Sequence, residues 1–524
     1  MTPFVTAAEV RLDLIARREI ALFDLREEDP FAKGHPLFAA NLPLSRLELE
    51  AYERLPRRDV KIVLYDDGEG LTGPAVERLE ALGYSQTRVL AGGLKGWVGA
   101  GYELFQDVNS ASKAFGELVE ARRHTPSLPA PEVKALIDAE ADLVILDARR
   151  FDEYRTMSIP KGVSVPGGEL VLRARALAPD PATTIIVNCA GRTRSLIGAQ
   201  SLINAGLPNR VFALRNGSIG WTLAGQALEH GQTRRYGEPG GALEGDARAR
   251  AREVADRAGV ERLDPPRLAE LAADATRTLY RFDVRQLDEF EAGHLPGFIH
   301  APGGQLVQET DHAAPVRGAR IVLSDPRSVR ADMTASWLAQ MGWEVYVLDA
   351  PSAAFCEVGP AVRRQPRPPA TILIGVEELA SRIDRNVVTV IDLGPSPARR
   401  RGHIPGSWFA VRARLAAGLG ELSTCWPLVL ASPDDRLARF AATEVAHLTG
   451  RAPLVLEGGT SAWAAAGLPL ETGLGRAITA ADDVYRRPYE GTANAPAAMQ
   501  AYLDWEFGLV DQLARDGTHG FHVI

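Results

Sequence analysis

Cysteine is scarce in this chain, with 3 residues in 524, and so few cysteines cannot build a disulfide framework. No stretch approaches the ~18 consecutive apolar residues of a membrane span. Residues 1–26 carry charges throughout and lack the apolar centre of a signal peptide. No sustained Lys/Arg run occurs, and the formal net charge is −8. These absences predict a protein of the reducing cytoplasm that has neither a membrane nor a nucleic acid as its partner.

Internal repetition is the main positive feature of the sequence, because three patterns each occur four times. The first pattern is an apolar segment that ends in aspartate, with a proline twelve or thirteen residues later. Three of its four copies also have arginine two positions after the aspartate. The aspartates of the four copies are Asp24, Asp147, Asp283 and Asp392.

The second pattern is an apolar segment, a short loop and a helix-like stretch that ends at glycine. The first loop residues of the four copies are Asp66, Cys189, Asp325 and Ser432. The glycine follows seventeen residues later in three copies and eighteen in the fourth, as expected for a helix C-terminal cap. The third pattern is an apolar segment followed by a turn and an aromatic residue. The aromatic residues are Trp97, Trp221, Phe355 and Trp463, and we interpret them as structural anchors.

Short apolar segments that alternate with helical stretches predict an α/β protein with mainly parallel sheets and helices on both faces of each sheet. The repeats divide the chain into four tandem modules, and the remainder has apolar residues at helical spacing, which predicts a helical C-terminal extension. The predicted ranges are 1–107, 108–237, 238–370, 371–474 and, for the extension, 475–524. Loop composition places the clearest linkers near residues 237 and 370.

Cys189 is the residue that most strongly indicates chemistry. It follows an apolar segment directly and precedes a loop with Arg192 and Arg194, after which a helix-like stretch begins. A helix N-terminus carries unpaired N–H groups and partial positive charge, and two arginines add full charge. This setting predicts a lowered thiol pKa and a thiolate nucleophile. A structural cysteine has no need of such surroundings.

The three patterns together resemble the rhodanese family of sulfurtransferases, and the resemblance covers residues 1–474 as four rhodanese-like modules. In that family the loop begins with a cysteine that carries a persulfide. The resemblance therefore implies that Cys189 is catalytic and that the modules with Asp66, Asp325 and Ser432 are inactive. The other two cysteines, Cys356 and Cys425, are not at loop starts, and we interpret both as structural.

The resemblance also implies the reaction. Sulfane sulfur passes from an anionic donor such as thiosulfate to a cyanide, glutathione or protein-thiol acceptor, with a sulfur-carrier protein as a further acceptor class. No cofactor beyond the Cys189 persulfide and no metal is expected. The substrate-binding residues are predicted to be Ala190, Gly191, Arg192, Thr193, Arg194 and Ser195. Asp147, Arg149 and Trp221 are expected to support the loop, with the first two tying strand to loop.

Two other classes remain open at this point. A cysteine phosphatase or arsenate reductase needs Cys, five residues and then Arg, but the sixth residue after Cys189 is Ser195. A non-catalytic scaffold or sulfur-relay protein is the second alternative, because three of the four modules lack the cysteine. The physiological donor and acceptor, the role of the C-terminal extension and the oligomeric state are not determined by the sequence.

Overall fold

The structure is a computed structural model, and it describes residues 3–362, 364–420, 422, 427–491 and 494–524. Four sheets follow one another along the chain, and helices cover them. Strand pairing within each module is parallel. The predicted class, an α/β fold of four repeated modules, is confirmed. Among the described residues, none of the helices has the length and apolarity needed to cross a bilayer.

The first module and the helix that follows it contain β1 (Phe4–Val5), α1 (Ala7–Ile15), β2 (Ile20–Asp24), α2 (Glu28–Lys33), β3 (Ala40–Asn41), α3 (Leu47–Arg54), β4 (Ile62–Tyr65), α4 (Thr72–Ala81), β5 (Thr87–Leu90), α5 (Gly93–Gly99) and α6 (Ser110–Arg123). The second module and its following helix contain β6 (Ser127–Leu128), α7 (Ala130–Asp138), β7 (Leu143–Asp147), α8 (Phe151–Thr156), β8 (Val163–Ser164), α9 (Leu170–Leu177), β9 (Thr184–Asn188), α10 (Thr193–Asn204), β10 (Val211–Leu214), α11 (Gly217–Leu223) and α12 (Gly241–Arg257).

The third module contains β11 (Glu261–Leu263), α13 (Pro265–Ala273), β12 (Leu279–Asp283), α14 (Leu287–Ala292), β13 (Ile299–His300), α15 (Gly303–Gln308), α16 (Thr310–Ala313), β14 (Val316–Arg317), β15 (Arg320–Ser324), α17 (Val329–Gln340) and β16 (Glu344–Leu348). The fourth module and the C-terminal extension contain β17 (Ile372–Ile374), α18 (Val376–Asp384), β18 (Thr389–Asp392), α19 (Ser396–Arg401), β19 (Trp408–Phe409), α20 (Leu415–Leu419), β20 (Leu428–Ala431), α21 (Arg436–Thr449), β21 (Leu454–Leu456), α22 (Gly459–Ala465), β22 (Arg476–Ala477), α23 (Pro496–Phe507) and α24 (Leu509–Asp516).

The sheet of the second module has the strand order β6-β10-β9-β7-β8. Its central strand β9 buries side chains on both faces. Ile185 and Val187 join a core with α9, α10 and α12, whereas Ile186 joins a core with α7 and Trp221. This alternation follows from the two-residue period of a strand. Because β9 is central, the loop after it lies at the carboxyl edge of the sheet with neighbouring strands on both sides, where ligands bind in parallel sheets.

Two strands join sheets outside the module ranges that the repeats predict. β14 of the third module pairs antiparallel with β2, so the sheet of the first module contains one strand from the third. β22 pairs with β19 in the fourth sheet, and it lies beyond residue 474, the predicted end of the repeat. The modules are therefore joined by shared backbone hydrogen bonds as well as by side-chain packing.

The predicted capping glycines all have the left-handed backbone that suits a helix end, with φ between 66° and 88°; they are Gly83, Gly206, Gly342 and Gly450. Each of the three repeat tryptophans is buried, and its indole N–H donates to the carbonyl six residues later, at 2.8–3.0 Å. Phe355 differs from these tryptophans because it is only partly buried and follows a 3-10 turn at Ser352–Ala354.

The extension forms two helices, in agreement with the predicted helical spacing. α24 packs against α6, and its Leu509 and Leu513 belong to the core that the first and third modules share. Residues at the C-terminus dock on the third module, where the Ile524 amide donates to the Gln340 side chain at 3.1 Å. α23 directly precedes α24 and contacts α11 and α6.

Candidate functional site

Cys189 lies directly after β9 and before α10, at the position that the sequence predicted. The side chain is enclosed, since the residue is only 1% exposed. Its thiol donates to Ser195 Oγ at 3.4 Å, and that hydroxyl in turn donates to the Arg192 carbonyl at 2.8 Å. The Ser195 amide also donates to the sulfur atom. The N-terminal turn of α10 thus faces the thiol, and the amides of this turn have no partner within the helix.

Gly217 holds the other side of the loop. Its φ is +53°, and a Cβ at this position would lie 2.4 Å from the Cys189 carbonyl oxygen. The amides of Ser218 and Ile219 donate to the carbonyls of Cys189 and Ala190, both at 2.9 Å. The start of α11 therefore fixes the backbone of the loop through contacts that leave no room for a side chain at Gly217.

Both loop arginines are paired with carboxylates. Arg192 is 4% exposed, and it contacts Glu117 through two N–H groups at 2.8 Å and also Glu120 of α6. Arg194 contacts Glu153 of α8 at 2.7 and 2.9 Å. Both arginines do place positive charge beside the loop, and carboxylates of the protein balance that charge in this conformation.

The predicted lowering of the Cys189 pKa is wrong in this conformation. Burial raises the pKa of the thiol, although Arg194 and the hydrogen bonds from Ser195 act in the opposite direction. Arg194 has a stronger effect on its own partner. Burial opposes ionisation of Glu153, but the Arg194 guanidinium lowers the pKa of that carboxyl to about 2. The Cys189 thiol is hence harder to ionise in this conformation than in solvent.

Asp147 and Arg149 lie behind the loop, fully buried. Arg149 donates to both carboxylate oxygens of Asp147 at 2.8 and 2.9 Å, and to the Met157 carbonyl at 2.6 Å. Asn188, which directly precedes the cysteine, donates to Asp147 at 2.8 Å. This cluster joins the ends of β7 and β9 to the loop after α8. Trp221 of α11 belongs to the core between this sheet and α7, together with Ile186 of β9.

The C-terminal extension contributes residues to the site that the sequence analysis did not assign. Tyr502 and Glu506 of α23 lie against Gly191, where a Cβ would come within 3.0 and 3.2 Å of their atoms. Met499, Tyr502 and Leu503 pack on Ala190 and Ile219. Residues 499, 502, 503 and 506 have the spacing of one helix face. That spacing was visible in the sequence, but the surface it would cover was not.

The equivalent loops of the other modules have an aspartate or a serine at the position of Cys189, and this side chain binds the loop itself. The Asp66 carboxylate accepts the Gly68 and Leu71 amides at 3.0 and 2.6 Å. Asp325 accepts the amides of Arg327 and Arg330 and also the Arg330 side chain. In the fourth module, the Ser432 hydroxyl accepts the Ala438 amide at 3.1 Å. In each of these loops the first side chain therefore accepts backbone amides of the same loop, and in two of them that side chain carries a carboxyl group.

Of the other two cysteines, the structure describes Cys356. This residue is free and exposed, and its interpretation as structural stays a prediction. Cys425 lies outside the described residues. Within the described ranges, no group of three or more His, Cys, Asp or Glu side chains has an arrangement that would hold a metal ion.

Comparisons with known proteins identify the family. The rhodanese-like domain family matches residues 6–100, 129–224 and 265–356, which together exceed half of the chain. The crystal structure of a thiosulfate sulfurtransferase from Pseudomonas aeruginosa is 60% identical and covers 100% of both chains with a TM-score of 0.98.

Two curated bacterial proteins match one module each. Uncharacterized protein YqhL of Bacillus subtilis (strain 168) is 37% identical over 82 residues, which are 16% of this chain and 64% of that protein. Uncharacterized protein YibN of Escherichia coli (strain K12) is 34% identical over 88 residues, 16% of this chain and 61% of that protein. The chain thus spans less than two thirds of the length of these two relatives. From the three family matches and the full-length similarity, we conclude that this chain belongs to the rhodanese-like family.

Proposed function

We propose that the protein is a sulfurtransferase that moves sulfane sulfur from thiosulfate to a thiophilic acceptor through a persulfide on Cys189. The observation that carries this proposal is the position of Cys189 at the start of the loop between β9 and α10, in the one module of four that has a thiol there. The full-length relative that is 60% identical is described as a thiosulfate sulfurtransferase, which supports the same donor.

In the first half-reaction, the Cys189 thiol loses its proton to solvent and the thiolate attacks the outer sulfur of thiosulfate. A bond forms between Cys189 Sγ and that sulfur, the S–S bond of thiosulfate breaks, and sulfite leaves with the bonding electron pair. No external oxidant or reductant is needed. The amides of the first turn of α10 are suited to stabilise the anionic persulfide, as a nest of N–H groups does.

In the second half-reaction, the acceptor attacks the outer sulfur of the persulfide. The Cys189–sulfur bond breaks, and the cysteine leaves as a thiolate that is protonated again. Cyanide, glutathione and a protein thiol all have the required nucleophilic atom. No bound cofactor enters either step, and a reducing compartment would keep Cys189 as a free thiol between turnovers.

Ser195 and Arg194 are the side chains that we assign to the sulfur. The Ser195 hydroxyl contacts the thiol at 3.4 Å and can rotate to donate once the sulfur is anionic. Arg194 favours the thiolate through its charge, while Glu153 holds the guanidinium in place. Arg192 is tied to α6 by Glu117, and we assign it to the position of the loop, not to direct donor binding.

Steady-state kinetics with thiosulfate and cyanide test this proposal. A persulfide intermediate predicts parallel lines in double-reciprocal plots, as for any double-displacement enzyme. Cys189→Ser should abolish turnover, whereas Cys356→Ser, which changes the exposed thiol of the third module, should retain it. Intersecting lines, or turnover that survives Cys189→Ser, would contradict the proposal.

A further inference from the structure

The Cys189 thiol is enclosed in this structure, and α23 packs on the loop residues that directly follow it. Cys189 is 1% exposed. One face of α23, formed by Met499, Tyr502, Leu503 and Glu506, is buried against the loop, and the rest of the helix is largely exposed. A sulfur donor or acceptor therefore cannot contact Sγ until part of this cover moves.

The chain on both sides of α23 is anchored to other modules, although Tyr489 upstream also packs on Tyr502 of α23, with 5.3 Å between the ring centroids. Upstream, the Tyr485 amide donates to Glu28 of the first module at 3.0 Å, and Asp483 accepts the Ser396 amide at 2.8 Å. Downstream, Leu509 and Leu513 are buried in the core, and Asp516 pairs with Arg11 at 3.2 Å. α23 can therefore leave the loop while its neighbours remain in place.

Glu506 is an unusual member of the buried face. The spacing of the face calls for an apolar residue at this position, yet a carboxyl group is fully buried there. Its Oε1 accepts the Tyr502 hydroxyl at 2.9 Å, and Thr193 of the loop approaches the same oxygen at 3.5 Å. Its Oε2 has no hydrogen-bond partner and lies against Gly191. A buried oxygen without a hydrogen-bond partner destabilises the folded state strongly if it is charged, because its lost hydration is not replaced.

Titratable groups face Glu506 from α6, from the loop, where the Cys189 thiol interacts with this carboxyl, and from α23 itself, where Tyr502 lies. From α6 these are Lys113, which pairs with Asp107 at 2.9 Å, and Glu117, which pairs with Arg192 of the loop. Lys113 Nζ also lies over the rings of Tyr502 and other aromatic residues of the extension at 5.1–5.9 Å. Each cation has its own carboxylate partner, although both still favour the ionised form of Glu506 against the effect of burial.

We propose that α23 is a lid over Cys189 and that Glu506 is the positioning residue that couples the opening of this lid to proton release. In the closed lid the carboxyl group is protonated and fits the buried face. In the open lid it is hydrated and ionised, and its proton passes to solvent. The use of the opening for sulfur transfer rests on the function proposed above, whereas the lid itself can be tested without turnover.

The electrostatics of the closed site agree with this geometry. Burial, together with the nearby Glu117 carboxylate, raises the pKa of Glu506 to about 8. A hydrated glutamate has a pKa of about 4.3. The closed lid hence binds a proton that the open lid releases at any pH between these values, and closure is weakened as the pH rises through this window. The equilibrium constant for lid opening should therefore increase roughly tenfold per pH unit between these two pKa values.

The test is alkylation of Cys189 by iodoacetamide between pH 5.5 and 7.5, quantified by peptide mass spectrometry of the full-length protein. An open thiol would react about tenfold faster per pH unit, because only the thiolate reacts. Proton-coupled opening adds a second factor, so the wild-type rate should rise roughly 100-fold per unit. Glu506→Gln should restore the tenfold dependence and react at least ~10-fold more slowly at pH 7.5, because glutamine cannot ionise.

The matched control is Asp504→Asn, which removes a carboxylate from the exposed side of the same helix and should keep the 100-fold dependence. A wild-type rate that rises only tenfold per unit would overturn the proposal, and so would a Glu506→Gln profile identical to that of the wild type. Circular dichroism checks that the variant folds. If it does not fold, the wild-type profile alone decides. Because alkylation needs no sulfur donor, failure of the lid and failure of the sulfurtransferase proposal give different results.

Discussion

Gly217 shows how strictly single positions are constrained beside the thiol. Alanine there would require a left-handed backbone and place Cβ 2.4 Å from the Cys189 carbonyl. We expect Gly217→Ala to cost about 2–4 kcal/mol of unfolding free energy. Displacement of the loop should lower sulfurtransferase kcat/KM about 100-fold. Urea denaturation and steady-state kinetics measure the two effects.

Gly225 is the matched control for this substitution. Its φ is +70°, but no atom lies within 4 Å of a Cβ built there. Gly225→Ala should cost only about 1 kcal/mol and leave activity unchanged. Equal effects of the two substitutions would show that backbone strain, and not contact with the Cys189 loop, determines the behaviour of Gly217.

The buried pair between Arg192 and Glu117 gives a second prediction at this scale. Glu117→Gln should destabilise the protein by about 2 kcal/mol, because a buried guanidinium loses its charged partner. Glu120→Gln, which alters the more exposed partner of the same arginine, should cost less than about 1 kcal/mol. Thermal or urea unfolding of the two variants tests the difference, and equal losses would contradict the assignment of Glu117 as the principal partner.

At the scale of residues, the sequence could identify the thiol but could not identify the carboxylates that balance the charges of the arginines beside it. Cys189 follows from the local strand–loop–helix pattern. The partners of Arg192 and Arg194 lie 75 and 41 residues away in sequence, at Glu117 and Glu153. Local spacing contains no information about such pairs, so the sequence could not show that carboxylates of the protein itself contact both arginines.

At the scale of secondary-structure elements, the buried face of α23 should control access to Cys189. Leu503 is 1% exposed on this face. Leu503→Ala should weaken the closed lid by about 2–4 kcal/mol and raise the alkylation rate of Cys189 at least ~10-fold at constant pH. Gln500→Ala, on the exposed side of α23, should leave the rate unchanged. An unaltered rate in Leu503→Ala would mean that some other element limits access.

Elements with a strong local pattern were predictable, and elements that depend on distant contacts were not. The repeated strands and capping glycines follow from apolar runs and from φ requirements. β14 has only two residues and exists because it pairs with β2 of another module. The helical spacing of α23 was visible, but not its location over the loop, because the position of a surface helix depends on the three-dimensional arrangement of all four modules.

The whole molecule is organised around a core that the first module, the third module and α24 share. The fourth module has its own two cores. We therefore expect Leu430→Ala, in a core of the fourth module, to lower the stability of that module by about 2–5 kcal/mol and to separate its transition in calorimetry while activity persists. Leu323→Ala should instead lower the temperature of a single unfolding transition that the first and third modules share. If each variant shifted all unfolding transitions by the same temperature, the fourth module would not be a separate unit of stability.

The central claim is that Cys189 alone carries transferred sulfur, and the intact mass of the protein after incubation with thiosulfate tests it most directly. The account predicts a gain of one sulfur atom per chain, reversed by cyanide and absent in Cys189→Ser. A gain that persists in Cys189→Ser would place the sulfur elsewhere. No gain with thiosulfate, glutathione persulfide or mercaptopyruvate, at a pH where iodoacetamide alkylates Cys189, would contradict sulfur transfer and favour a binding scaffold.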